Sequence, residues 1–153
     1  MLRTFLIATA LAVVPTTAVS AQSCDAEPQF AAHRTSLGNV RAQYNALQRA
    51  DWPEAIHFGV EVSESGASPR DRVAALSNLC FAYAASGDTS EAIVACNAAL
   101  ERRSNAWRAL NNRGAAQWLA GDRTAAAADF QAASELADDE AEVQANLALS
   151  ACS

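Results

Sequence analysis

Apolar positions in the middle of the chain recur with a helical period. Leu76, Leu79, Cys80 and Tyr83 fall at i, i+3, i+4 and i+7, which places them on one face of a helix. A matching stripe follows at Ala92, Cys96, Ala99 and Leu100. Ser86-Gly87-Asp88 stands between the two stripes and reads as a turn, so the pair predicts an antiparallel hairpin of two helices of about 14 residues each. Asp88, with Glu91 three residues on, is placed to cap the second helix, and Asp51 with Glu54 repeats the arrangement. Pro53 suits a first helical turn, where its missing N–H costs nothing. No segment shows the period-two alternation of a strand, so the pattern predicts an all-α protein.

The hairpin is repeated. Shifting the chain by 34 positions sets Val73–Ala106 on Trp107–Glu140 with ten identities, among them Leu76 on Leu110, Asn78 on Asn112, Gly87-Asp88 on Gly121-Asp122, and Glu101 on Glu135. The frame continues to Asn146-Leu147. An earlier copy lies 37 residues upstream, where Asp51-Trp52-Pro53-Glu54-Ala55-Ile56 precedes Asp88-Thr89-Ser90-Glu91-Ala92-Ile93. The three extra residues fit the loop-like run Ser63–Pro69.

A 34-residue helix–turn–helix unit of this pattern resembles the tetratricopeptide repeat (TPR) family. Leu76, Leu79, Cys80, Tyr83, Ala92 and Cys96 occupy its characteristic slots in the middle copy, and Leu110, Gly114, Ala126, Phe130 and Ala133 do so in the next. Arg113 and Gln117 depart from its leucine and tyrosine, and Ser104 and Asp138 stand where its closing proline would be; Pro69 is the candidate for that role. The resemblance implies a right-handed solenoid of about three hairpins, near residues 36–69, 73–106 and 107–140, with a capping helix near 139–151. Together they form a domain over 36–152, preceded by an N-terminal arm at 22–35. Val143, Leu147 and Ala151 would cover the last hairpin, and Asp138, Asp139, Glu140 and Glu142 favour the N-terminus of the cap.

In such a solenoid the first helix of each hairpin lines the concave side. Asn78, Asn112 and Asn146 recur at the repeat interval and form a column there. An amide both donates and accepts, so it can hold an extended peptide backbone without selecting side chains. The resemblance implies that these three contact a peptide, with Ser77, Asn111, Phe81, Ala115 and Arg108 beside them. The competing reading has the asparagines tie neighbouring hairpins together. Arg108 and Arg113 are candidates for an acidic group, against the plainer reading of solvated arginines.

Cys80 and Cys96 stand equally far from the turn. Helix axes about 8–10 Å apart bring opposed Cα atoms to about 4–6 Å, a span a disulfide accepts. The pair therefore reads as a staple rather than two reduced core residues. A catalytic thiol pair is excluded by spacing and by the lack of a basic neighbour. Cys24 and Cys152 lie at opposite ends, and their pairing stays open: with each other if the arm folds back along the groove, with a second chain, or elsewhere.

The N-terminus carries one arginine, an apolar run from Phe5 to Val14, and small residues at Ala18-Val19-Ser20-Ala21. This is the build of a secretory signal peptide spanning 1–21; the run is too short to span a bilayer. The expectation is an exported protein, periplasmic or extracellular, where disulfides persist, with no stable membrane insertion after cleavage. Loss of Arg3 leaves ten basic residues, all arginine, against seventeen carboxylates, a net charge of −7. Such a surface repels phosphate backbones, and nucleic-acid binding is not expected. There is no Gly-x-Ser-x-Gly, phosphate loop or metal-ligand spacing. His33 and His57 stand alone, and Trp52, Trp107 and Trp118 read as packing residues. No cofactor, metal or catalysis is expected. The sequence describes an exported binding scaffold for a protein or peptide, acting as an adaptor or assembly helper. A self-associating structural domain, including a disulfide-linked homodimer, and an accessory subunit of an exported enzyme are the alternatives.

Overall fold

The computed structural model describes residues 26–151. The expected signal peptide, Cys24 and Cys152 lie outside those residues. Seven helices are described: α1 (Gly38–Gln48), α2 (Trp52–Glu64), α3 (Pro69–Ala85), α4 (Thr89–Arg102), α5 (Trp107–Leu119), α6 (Arg123–Ser134) and α7 (Ala141–Ser150), with no strand among the described residues. They pack as hairpins α1/α2, α3/α4 and α5/α6, with α7 against α5 and α6.

The turns and caps follow from local chemistry. Asp51, Asp88 and Asp122 each accept a hydrogen bond from the backbone N–H three residues on, at 3.2, 3.1 and 3.0 Å. The expected return contact from the glutamate to the backbone does not form. The backbone N–H groups of Asp51 and Asp88 donate instead to the carbonyls of Ala46 and Tyr83, at 2.9 and 2.8 Å, which leaves the Glu54 carboxylate to pair with Arg49. Gly87 and Gly121 take left-handed φ values of 96° and 88°, and Ala50 holds the equivalent place in the first hairpin at 55°. Pro69 does not close a repeat. Capped by Ser68, it opens α3, so part of the three-residue insertion lengthens that helix to 17 residues instead of lying wholly in the loop. The acidic run Asp138–Glu140 stays outside α7, tied off by the Gln144 side chain donating to the Asp138 carbonyl at 2.8 Å.

Each hairpin crosses at a pair of residues sixteen apart, and each pair solves the close approach differently. Cys80 and Cys96 form a disulfide with their Cα atoms 5.2 Å apart, within the expected span. In α5/α6, Gly114 lies against Phe130, where an added Cβ would stand 2.7 Å from the ring. In α1/α2, Gly59 lies against Gln43 and Leu79, with the Gln43 amide 2.2 Å from such a Cβ.

Burial on α3 exceeds what a one-sided stripe allows. All eight residues from Val73 to Cys80 are buried, Ser77 and Asn78 included, whereas an amphipathic helix would leave its polar face wet. On α5, Asn111 and Asn112 are fully buried as well. The cover on this second face is the chain's own N-terminal arm.

Candidate functional site: an asparagine column holding the N-terminal arm

Residues 26–36 carry no helix and lead into α1. Along the concave side the arm passes Asn146 of α7, then Asn112 of α5, then Asn78 of α3. Each asparagine holds one arm residue by both backbone groups. Asn146 accepts from the Gln29 N–H and donates to the Gln29 carbonyl, both at 2.7 Å. Asn112 does the same for Ala31 at 2.8 and 3.0 Å, and Asn78 for His33 at 2.7 and 2.8 Å. The clamped residues are 29, 31 and 33 because in an extended chain the N–H and C=O of every second residue point to the same edge.

The second amide hydrogen of each asparagine goes to the preceding hairpin. Asn78 donates to Gln43 Oε1 at 3.2 Å, Asn112 to the Ser77 carbonyl at 3.1 Å, and Asn146 to Asn111 Oδ1 at 2.9 Å. Each asparagine thus clamps the chain's own arm and ties its helix to the preceding hairpin in one arrangement. A buried amide with every hydrogen placed is stiff, and leaving any of these groups unpaired would cost about 1–3 kcal/mol.

The remaining predicted site residues gather around the same arm. Asn111 adds a bond to the Gln29 carbonyl at 3.0 Å. Phe81 stacks on Phe30 of the arm, with ring centroids 4.8 Å apart and planes 2° from parallel. Ala115 joins Trp118, Phe130 and Leu149 in a cluster that Phe30 packs against. Ser77 is buried, and its hydroxyl has no hydrogen-bond partner. Arg108 lies over the Trp107 ring and 3.8 Å from Glu140. Arg113 neither solvates a face nor awaits an acidic ligand: it forms a two-pronged ion pair with Asp129 of α6, both contacts 2.7 Å, and donates to Asn97. That bond holds its guanidinium charge firmly, raising its pKa.

Sequence reasoning missed the arm's side of the site, Gln29, Phe30, Ala31 and His33, and also Gln43. The arm residues' one legible signal is the absence of helical spacing between Pro28 and Leu37. Burial, with the positive fields of Arg108, Arg70 and Arg103, lowers the His33 pKa from 6.5 to about 4, so the imidazole is neutral at ordinary pH. Three cavities flank the arm, of about 630, 420 and 390 Å³. The largest is walled by Phe30, Trp52, Phe81 and Leu119. No helix among the described residues is long and apolar enough to cross a membrane. Nor do those residues gather three or more metal-ligating side chains.

Helical hairpins stacked around a concave face are the tetratricopeptide fold, and this chain has it. The first TPR domain of Spaghetti (RPAP3) bound to the HSP90 peptide SRMEEVD superposes with a TM-score of 0.62 at 20% identity, over 71% of this chain and 84% of that one. The second TPR domain of human RPAP3 in complex with the HSP70 peptide SGPTIEEVD gives 0.62 at 18%, over 74% and 92%. The Arabidopsis OM64 TPR domain gives 0.60 at 21%, over 70% and 86%. No protein-family model matches the sequence, and no curated protein matches it either.

Proposed function

We propose that the protein is an exported, non-catalytic scaffold whose concave groove binds an extended segment of a protein partner. The observation that carries this reading is the column of Asn78, Asn112 and Asn146, each gripping a peptide backbone by both N–H and C=O. Such contacts do not depend on side chains, so a partner segment of similar extension can take the same places. The peptide-bound TPR domains among the similar folds support the same use of the groove. Export is supported by the signal-like N-terminus and by the Cys80–Cys96 disulfide, a bond that persists in oxidising compartments.

The arm is the groove's built-in occupant, so a partner enters by exchanging with it. The test is crosslinked capture from an exported fraction with three forms of the protein. Changing Phe30→Ala weakens the arm without touching the asparagines and should increase capture of a defined partner. Changing all three asparagines to alanine should abolish it. Equal capture by all three forms would overturn groove binding. The arm's fit favours a second reading, in which it is a permanent part of the fold and the domain is structural, pairing through its ends with a second copy. Disulfide-linked dimers on a non-reducing gel, with unchanged capture in the Phe30→Ala form, would support that reading.

A further inference from the structure

Beside the arm, a cavity of about 420 Å³ gathers positive charge in an otherwise acidic protein of net charge −6. Its wall includes Arg70 at the start of α3, Arg103 in the loop after α4, and Arg108 at the start of α5, together with His33, Ser77 and Trp107. Arg70 and Arg103 have no carboxylate within ion-pairing distance among the described residues, and Arg108 reaches Glu140 only at 3.8 Å. Like charges converging repel one another, here offset in part by Asp71, Glu140 and Glu142, and forked guanidinium groups are built to bind oxygen anions.

We propose that this cavity is a binding site for a small oxyanion of two or more negative charges, held by Arg70, Arg103 and Arg108. The volume lies within the range of small-ligand sites, about 300–1,000 Å³. It exceeds the needs of a bare ion, so the anionic group is carried on a small organic body. Phosphoryl and carboxylate groups share the required chemistry. The cavity adjoins the asparagine column through His33, which Asn78 clamps, and through Ser77, whose carbonyl accepts from Asn112. His33 sits at the cavity as a reporter: burial first, and then the three arginines, depress its pKa, with Asp71 opposing them, so an added anion would raise it.

The test is an NMR titration of the intact folded chain with inorganic phosphate and, separately, with citrate, against sodium chloride at matched ionic strength. The proposal expects saturable shifts of the His33 imidazole and Trp107 indole signals with one or both probes, an upward move of the His33 pKa, and no change at the exposed His57. Preference for phosphate or for citrate then separates phosphoryl from carboxylate ligands. Arg70→Ala and Arg103→Ala, both at exposed positions, should each weaken binding by about tenfold. Shifts that chloride reproduces, or saturable binding that survives the double Arg70→Ala/Arg103→Ala change in a chain of unchanged helicity, would overturn it.

Discussion

At the scale of single residues, the three hairpin crossings show how one geometric demand is met by different chemistry. Gln43 with Gly59, Cys80 with Cys96, and Gly114 with Phe130 occupy the same place in successive hairpins. In two of them a glycine is required by space alone, since neither has a left-handed φ. Changing Gly114→Ala should therefore cost about 1–3 kcal/mol through overpacking against Phe130, measured by urea unfolding. Unchanged stability would mean that the ring has room to move. The opposite change suits the first turn, where Ala50 adopts φ 55°. Ala50→Gly should stabilise the protein by about 1 kcal/mol, because a Cβ is disfavoured in the left-handed region; a loss of stability would contradict that account.

At the scale of elements, the hairpins were legible in the sequence because their signals are local. Apolar spacing, Asp caps and Gly-Asp turns each act within a few residues, and the 34-residue period multiplied them. The Cys80–Cys96 staple was legible for the same reason: the turn at Gly87 fixes which residues face each other. Replacing both cysteines with alanine should lower stability by about 3 kcal/mol if the loop-closure account holds, read as a shift in the unfolding midpoint without reductant. An equal midpoint in both forms would remove the staple from the energetics. Less legible was the start of α3. Ser68 and Pro69 read as loop or repeat end, yet a serine cap followed by proline is equally a helix start, and only the packing of α3 decides between them. Arg113 was misread because it was weighed alone, although Asp129 stands sixteen residues on, the same offset that sets Cys96 opposite Cys80.

At the scale of the whole molecule, the arm turns an open solenoid into one with a filled groove. The asparagine column was legible from periodicity; the arm in the groove was read only as one condition for pairing Cys24 with Cys152, and the residues it would offer were not legible. Backbone clamping asks nothing of arm side chains, so Gln29, Ala31 and His33 carry no motif. His33 makes the arm sensitive to acid. Its pKa is about 4 when clamped against an ordinary 6.5, so a released arm binds a proton that the clamped arm refuses. The arm's hold is thus full above pH 6.5 and weakens as pH falls toward about 4. Arm protection from proteolysis should decline across that window, and less steeply in a His33→Gln variant; identical profiles would exclude His33 as the sensor. The central claim, that the groove grips an extended chain through alternate residues, is tested most directly by residue-resolved amide hydrogen exchange in the arm. The account predicts slow exchange at Gln29, Ala31 and His33, whose N–H groups the asparagines accept, and fast exchange at Phe30, Ala32 and Arg34. Uniformly fast exchange from Gln29 to Arg34 would contradict it.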